Sequence, residues 1–124
     1  DALDVLAALR ADRERFDLVI ADPPAFIKRR KDRRNGLAGY RRLNQAAMQV
    51  LEPGGTLVSA SCSALLAEQD FVATLLAAAR HLDRSLQVTA RGGQAPDHPE
   101  HPAIPETRYL KAVFARCLRA DTTP

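Results

Sequence analysis

A short apolar run that is stopped by two consecutive prolines constrains the fold of this chain more than any other feature. The run Phe16–Ala21 is rich in residues that favour strands. Asp22-Pro23-Pro24 follows it directly, and proline cannot continue a central strand because it lacks the donor N–H. The pattern therefore predicts a buried parallel strand over 16–21 that ends at Asp22.

The rest of the chain alternates between helical and extended patterns. Apolar residues have helical spacing over 3–9, 40–51 and 71–79, and strand patterns cover 56–61, 86–90 and 109–118. The basic stretch after the prolines is expected to form a loop, and Pro53-Gly54-Gly55 is expected to end the second helix. No helix separates the last two strands, so this pair is predicted to be antiparallel. The order predicts an α/β fold, a sheet of parallel strands with an antiparallel last strand and helices on its faces.

Length and composition narrow the class of protein. The 124 residues, 46% of them hydrophobic and 27% charged, predict one compact domain rather than a disordered chain. No apolar run nears the length of a membrane span and no basic-then-apolar leader is present, so we expect a soluble, cytoplasmic protein without a membrane partner. Cys62 and Cys117 should lie about 20 Å apart in such a sheet, too far for a disulfide.

The positive charge is concentrated in one segment. Residues 28–42 hold eight of the eighteen basic side chains and one of the fifteen acidic ones. Such a patch indicates a polyanionic partner, and a solvated loop is the alternative interpretation. The candidate phosphate contacts are Lys28, Arg29, Arg30, Arg33 and Arg34.

Two reactive side chains are predicted at the carboxyl ends of the strands, where open α/β sheets bind ligands. The two prolines would hold the Asp22 carboxylate in a rigid turn, and Phe26 offers a face for stacking a planar base. Cys62 follows the second strand just ahead of a helix, a position that favours a reactive thiolate. The alternatives are a strand-ending turn without function and a small core cysteine. Cys117 is interpreted as a core residue.

A metal site is not expected. His98 and His101 have the spacing H-x-x-H, with Asp97 and Glu100 beside them. This segment is proline-rich rather than helical, so its side chains share no fixed face for a metal ion. A loop in which Asp97 and His98 close over the carboxyl edge of the sheet is favoured over a metal site. Internal capping of this loop by Glu106-Thr107-Arg108-Tyr109 is the leading interpretation.

In combination, these motifs resemble the C-terminal half of class I S-adenosylmethionine-dependent methyltransferases, and most closely the large-subunit ribosomal RNA methyltransferase I family. The resemblance runs from Asp1 to about Leu118. The segments that carry it are FDLVIADPPAF, GYRRLNQAAMQVLEPGG, TLVSASCS, and APDHP followed by PETRYLK. It implies methyl transfer from S-adenosylmethionine to C5 of a cytosine in 23S ribosomal RNA.

The resemblance also implies a role for each matching residue. Cys62 would be the nucleophile that attacks C6 of the cytosine, and Asp22 would hydrogen-bond the base and stabilise the adduct. Asp1, Asp22 and Pro23 would contact the methyl donor. Contacts to the RNA are assigned to Pro24, Phe26, His98 and the five basic residues named above.

The chain departs from the family at its beginning, because neither the glycine-rich donor loop nor an N-terminal RNA-binding domain has a counterpart in these residues. Residues 1–124 are therefore interpreted as a partial methyltransferase domain that is inactive alone. The strand over 16–21 would then lie at an exposed sheet edge and favour self-association or a homodimer.

Two other functions stay open at this stage. One is a methyltransferase acting on a base nitrogen, adenine N6 or guanine N7, which needs no cysteine. Ala25 after the prolines and the presence of Cys62 count against it. The other is a non-catalytic RNA-binding module that uses only the basic patch.

Overall fold

The computed structural model describes residues 1–94, 99–104 and 109–119. Within those ranges the chain forms one four-stranded sheet, in the order β1-β2-β4-β3, and three α-helices. In chain order the elements are α1 (Ala2–Ala11), β1 (Phe16–Ala21), α2 (Arg33–Met48), β2 (Leu51–Ser61), α3 (Glu68–His81), β3 (Arg84–Gly92) and β4 (Lys111–Arg119). This order of helices and strands is the one predicted from the sequence.

The sheet is mixed. β1 pairs with β2 in parallel, and β4 lies between β2 and β3 and is antiparallel to both. The antiparallel arrangement of the last two strands is therefore confirmed. Gly55 pairs with Cys117, whereas Cys62 follows the other end of β2. Both cysteines are free, as predicted.

The core lies between one face of the sheet and the helices α2 and α3. Residues at every second position of the central strands, such as Leu57 on β2 and Val113 and Ala115 on β4, are buried on this face. Tyr40 of α2 and Phe71 of α3 meet them from the helical layer, and each is fully buried. Apolar side chains at helical spacing thus pack α2 along β2, with Tyr40 near Ser61 at the end of the strand and Met48 near Leu51 at its start.

The prediction that β1 is buried is wrong. Its side chains are mostly exposed, and Leu18 and Ile20 have 53% and 65% of their surface in solvent. Among the described residues, β1 is the edge strand and pairs only with β2. Ile20 and Phe114 also lie on the sheet face opposite α2 and α3, which the described residues leave uncovered.

The basic stretch was predicted to be a loop, and much of it is helical. A short 3-10 turn covers Arg30–Asp32, and α2 begins at Arg33. Arginine has a high helix propensity, and Leu37 and Tyr40 anchor this end of the helix in the core. Residues Arg33, Arg34, Arg41 and Arg42 are therefore held on a rigid element.

The helix end and the following turn also differ from the prediction. α2 ends at Met48, and Leu51 already belongs to β2. Pro53-Gly54-Gly55 lies inside the bounds of β2, in the register shift between the pairs Phe16–Leu51 and Leu18–Thr56. Gly54 has φ +85°, which a residue with a side chain rarely adopts. The turn signal in the sequence is thus a bulge in the strand.

Candidate active site

The carboxyl ends of β1 and β2 bring two chemically reactive side chains to the same edge of the sheet. Ala21, the last residue of β1, pairs in parallel with Ser59 of β2. Asp22 follows β1 directly, and Cys62 follows β2 directly. Both residues therefore leave the sheet in the same direction, at the edge where α/β sheets bind ligands.

The segment from Asp22 to Phe26 crosses this edge. Asp22 and Pro24 are exposed, and Pro23 and Phe26 are half-buried. The Phe26 ring packs edge-on against Tyr40 with 4.7 Å between the ring centroids. The Phe26 N–H donates to the Tyr40 hydroxyl at 3.4 Å. Tyr40 thus fixes the end of the segment whose beginning carries the Asp22 carboxylate.

A cavity of about 740 Å³ lies between this segment, β1, α1 and α2. The predicted donor-contacting residues Asp1, Asp22 and Pro23 all line it, together with Pro24 and Phe26. Its remaining walls are largely apolar, with Leu3, Leu6, Val19, Ile20 and Leu43 among them. The cavity combines carboxylates with an apolar surface, which suits a ligand that has both a flat apolar group and polar atoms.

Asp1 also has a structural role. Its Oδ1 atom accepts a hydrogen bond from the Asp4 N–H at 2.9 Å and so caps the N-terminus of α1. The side chain is exposed, and the second carboxylate oxygen takes no part in the cap. One oxygen of Asp1 can therefore serve a ligand in the cavity.

Cys62 is half-buried and lies between two fully buried serines. Five residues separate it from Glu68, the first residue of α3. The sequence placed this thiol just ahead of a helix, so an effect of the helix on it was expected. The structure leaves the thiol outside the first turn of α3, and Cys62 does not line the cavity described above.

The two serines beside Cys62 belong to a buried hydrogen-bond network. Ser61 Oγ donates to the Tyr40 hydroxyl at 2.9 Å, and Ser63 Oγ lies 2.7 Å from the same hydroxyl. Lys111 is 2% exposed, and its Nζ donates to the carbonyl oxygen of Ser63 at 2.6 Å. One step deeper, Asn44 accepts from Ser59 Oγ at 2.7 Å.

Sequence reasoning missed this network, although the sequence carries a signal for it. Tyr40 and Asn44 are one helical turn apart on the face of α2 that is otherwise apolar. Ser59, Ser61 and Ser63 repeat with the two-residue period of a strand. Polar residues at the buried positions of two facing elements indicate a shared network, because buried polar groups need partners.

Cys117 has the role predicted for it. It is 2% exposed and packs in the core beside Leu57 and Ala78. Burial raises the pKa of the Cys117 thiol, and the nearby positive charge of Arg84 opposes that rise. The thiol is therefore held in its unreactive protonated form.

The five predicted phosphate contacts, Lys28, Arg29, Arg30, Arg33 and Arg34, are all exposed. Two of them have acidic neighbours: Arg29 lies 3.2 Å from an oxygen of Asp32, and Arg33 lies 3.4 Å from an oxygen of Asp70. These ion pairs are at the surface and contribute little stability. Two ion pairs do not neutralise the eight basic side chains of residues 28–42, so the patch keeps a net positive charge.

A second cavity, of about 830 Å³, joins the basic patch to the loop that follows Cys62. Arg30 and Arg33 line it on one side, and residues Ala64–Glu68 line it on the other. His101 and Lys111 also contribute to its wall. Arg30 and Arg33 thus lie beside the loop that follows Cys62, whereas Cys62 itself does not line this groove.

His98 lies outside the described residues, so its predicted contact with the RNA stays a prediction. Across residues 1–94, 99–104 and 109–119, no cluster of three or more potential metal ligands is found. In the same ranges, no helix combines the length and the apolar character that crossing a bilayer requires.

Curated relatives match nearly the whole chain. Ribosomal RNA large subunit methyltransferase I of Erwinia tasmaniensis is 38% identical over 118 residues, which is 95% of this chain and 30% of the relative. The protein of the same name from Yersinia pseudotuberculosis gives the same figures. The chain therefore spans about 30% of the length of these relatives. No protein-family model matches it. The predicted resemblance to this group of proteins is confirmed.

Solved structures show the same fold at low sequence identity. SMU.776, named as a methyltransferase candidate and complexed with SAH, superimposes on 94% of this chain with a TM-score of 0.79 and 18% identity, and the chain covers 30% of it. TTHA0409 of Thermus thermophilus, named as a candidate DNA modification methylase and complexed with S-adenosyl-L-methionine, covers 96% of this chain with a TM-score of 0.62 and 16% identity, and the chain covers 51% of it. The predicted α/β methyltransferase fold is confirmed.

Proposed function

We propose that this chain is the catalytic part of an S-adenosylmethionine-dependent methyltransferase that modifies C5 of a cytosine in 23S ribosomal RNA. The observation that carries the proposal is the parallel pairing of Ala21 with Ser59, which brings Asp22 and Cys62 to one edge of the sheet. The relatives named as ribosomal RNA methyltransferases support the enzyme class and the RNA substrate. Such an enzyme works in the cytoplasm, where bacterial ribosomes are assembled.

The chemistry needs a thiolate because C5 of cytosine is a weak nucleophile. Attack of the Cys62 thiolate on C6 forms a C–S bond and moves the electrons of the 5,6 double bond towards C5. Once C5 carries the methyl group, a base takes the C5 proton, and the electrons of the C–H bond restore the double bond and expel the thiolate. The Asp22 carboxylate accepts a hydrogen bond from the exocyclic amine of the cytosine and holds the ring in place. Phe26 and Pro24 bound the space in which the extruded base is held.

The cavity of about 740 Å³ fits the methyl donor in its chemistry. S-adenosylmethionine, when bound, supplies an electrophilic methyl group. The apolar side chain of Val19 would contact the adenine, and Asp1 would accept a hydrogen bond from it. Asp22 and Pro23 lie at the end of the cavity that adjoins the carboxyl edge of the sheet. The chain would thus form one side of the donor site, and a longer domain would complete it.

The basic patch supports RNA as the substrate. Five exposed cations and the groove of about 830 Å³ beside Ala64–Glu68 form a path for a phosphate backbone. Phosphate contacts give affinity and set the position of the strand without reading its sequence. The RNA strand would run along this path towards Cys62.

The decisive experiment uses a protein that contains these residues and has the full length of the relatives; we call it the full-length protein. Cys62 and Cys117 are replaced in it one at a time. Cys62→Ala should abolish methyl transfer to 23S ribosomal RNA, and RNA with 5-fluorocytosine at the target should no longer form a covalent adduct. The matched control Cys117→Ala should retain activity and the adduct, because Cys117 is a core residue away from the site.

Two outcomes would reject the proposal in different ways. Near-normal turnover of Cys62→Ala would favour a methyltransferase that acts on adenine N6 or guanine N7, for which Asp22 and Phe26 position the base without a covalent step. RNA binding without any methyl transfer by the unchanged full-length protein would leave a non-catalytic RNA-binding module.

A further inference from the structure

The Tyr40 hydroxyl makes three hydrogen bonds, and their directions can be assigned. It accepts from the Phe26 N–H at 3.4 Å and from Ser61 Oγ at 2.9 Å. A tyrosine hydroxyl has two acceptor positions and one proton. The third contact, 2.7 Å to Ser63 Oγ, is therefore a donation from Tyr40.

The serine that receives this hydrogen bond is tied to the same loop as Tyr40. Ser63 Oγ accepts from the Ile27 N–H at 3.3 Å. The Phe26 N–H thus donates to the Tyr40 hydroxyl, and the Ile27 N–H donates to the Ser63 hydroxyl. Phe26 and Ile27 lie at the end of the loop that begins at Asp22.

The same atoms fix the chain on both sides of Cys62. Ser61 Oγ accepts from the Ser63 N–H at 3.3 Å, which closes a tight turn around Cys62. Lys111, the first residue of β4, donates a hydrogen bond from its Nζ to the Ser63 carbonyl oxygen at 2.6 Å. Because Ser61 and Ser63 are turned into the core, the residue between them faces the other way, and Cys62 is half exposed while both neighbours are buried.

We propose that Tyr40 is a positioning residue, whose hydroxyl sets the Cys62 turn against the segment that carries Asp22. The inference rests on the proposed function, because the position of Cys62 relative to Asp22 affects the rate only if Cys62 is the nucleophile and Asp22 binds the base. Tyr40 itself touches neither substrate. Its ring is fixed by edge-on contacts with Phe26 and Phe71, at centroid distances of 4.7 and 5.8 Å. The hydroxyl is therefore a rigid reference point for both loops.

Replacing Tyr40 by phenylalanine in the full-length protein tests this role. Tyr40→Phe keeps the ring packing and removes the hydroxyl that binds both loops, while the direct hydrogen bond from the Ile27 N–H to Ser63 Oγ remains. A small misplacement of reacting groups can cost about 100-fold in rate, so we expect kcat to fall by about 10- to 100-fold. The KM for RNA should change less than about twofold, because the phosphate contacts are untouched. Adduct formation with 5-fluorocytosine RNA should slow by the same factor as kcat.

Ser59→Ala is the matched control. It removes an equally buried hydroxyl from the same strand face, but its partner is Asn44 and it does not reach the Cys62 turn. It should lower stability without changing kcat by more than about twofold. If Tyr40→Phe does not fold, Ser63→Ala decides the matter, because it removes the acceptor of Tyr40 and Ile27 while leaving the ring in place.

The outcomes separate this inference from the proposed function. If Cys62→Ala is inactive and a folded Tyr40→Phe, or Ser63→Ala in its stead, keeps kcat within about twofold, the positioning role is rejected and the nucleophile stands. Equal losses of kcat in Tyr40→Phe and Ser59→Ala also reject it, since they would reflect general destabilisation. If Cys62→Ala is active, the proposed function is rejected, and the positioning role of Tyr40 is rejected with it.

Discussion

The hydroxyl oxygen of Tyr40 lies 2.7 Å from the Oγ atom of Ser63, and this hydrogen bond ties the loop that follows β2 to α2, whose Tyr40 hydroxyl also binds the loop that follows β1. Ser63 follows Cys62, while Tyr40 lies on the helix that follows the Asp22–Phe26 segment. The hydrogen bond is wholly buried. A buried bond of this kind is costly to leave half-made, so the two loops keep one relative arrangement.

Two glycines of α2 should respond oppositely to alanine, because the backbone of Phe26 leaves no room for a Cβ atom at Gly36 but the Phe26 ring leaves room for one at Gly39. A Cβ atom on Gly36 would lie 2.9 Å from the carbonyl oxygen of Phe26 and would also collide with Ile27. Overpacking of this kind costs roughly 1–3 kcal/mol. A Cβ atom on Gly39 would meet the Phe26 ring at an ordinary 3.5 Å. Gly39→Ala should instead gain up to about 1 kcal/mol of helix stability.

Chemical denaturation of the two full-length variants measures this difference. Gly36→Ala should also reduce methyl transfer, because the carbonyl it displaces belongs to the residue whose N–H binds Tyr40. Equal stability of Gly36→Ala and Gly39→Ala would show that the loop does not approach α2 as closely as described.

The two cysteines should differ in their reaction with iodoacetamide. Cys62 is half exposed, whereas Cys117 is 2% exposed and its pKa is raised by burial. A raised pKa keeps a thiol protonated to higher pH, so the labelling of Cys117 should set in at higher pH than that of an ordinary thiol. Peptide mapping by mass spectrometry at pH 8 should find Cys62 labelled first.

Addition of denaturant is the control for the labelling experiment, because unfolding removes the burial that protects Cys117. The two residues should then be labelled at similar rates. Faster labelling of Cys117 than of Cys62 in the folded protein would contradict the description of both sites.

The salt dependence of RNA binding should identify the arginines that contact phosphate. Arg30 and Arg34 have no acidic partner within ion-pair distance in the described part of the chain. Arg29 forms an ion pair with Asp32, and Arg33 forms one with Asp70. Replacing Arg30 and Arg34 together by alanine should reduce the slope of log K against log[salt] by about 1.4, or about 0.7 per contact to single-stranded RNA.

The double variant of Arg29 and Arg33 is the matched control, since it removes the same charge from the same patch. It should reduce the slope by a smaller amount, because those two guanidinium groups are partly neutralised before RNA binds. An unchanged slope in both double variants would show that the patch is a solvated surface that does not contact RNA phosphates.

The 124-residue chain by itself should self-associate through β1. Its edge is unpaired, and Leu18 and Ile20 are 53% and 65% exposed. Exposed apolar edge strands are templates for pairing with another chain. Replacing both residues by lysine should make the 124-residue chain monomeric in sedimentation analysis, whereas Val5→Lys on α1, where Val5 is 58% exposed, should not. Persistent dimers of the lysine variant would place the contact elsewhere.

The sequence predicted which elements exist more reliably than which surfaces they bury. Period and turn residues identify the strands at 16–21 and 86–90 and the antiparallel last pair, because these depend on local chemistry. The exposure of Ile20 depends on the strand's place at the edge, which no local pattern encodes. The part of the basic stretch from Arg33 onwards was misread as a loop because its charge outweighed the apolar anchors Leu37 and Tyr40, which hold it in α2.

Only the part of the candidate site that depends on local sequence patterns was predicted. Asp22 and Cys62 could be found because each directly follows a strand pattern. Tyr40 and Lys111 could not be found in this way, because their importance comes from contacts with residues 14 to 48 positions away. Such contacts are set by tertiary packing alone.

The alternation of Ser59, Ser61 and Ser63 makes the site sensitive to the length of the chain and not only to its residue types. Deleting or inserting one residue between 59 and 61 would exchange the two sides of the strand's end. The thiol would then turn towards α2, and a serine would take its place at the solvent. The loop 64–67 lies beyond this alternation and can change in length without reversing the thiol. A change in length between Ser59 and Cys62 should therefore abolish activity, whereas a change in the loop 64–67 should be tolerated.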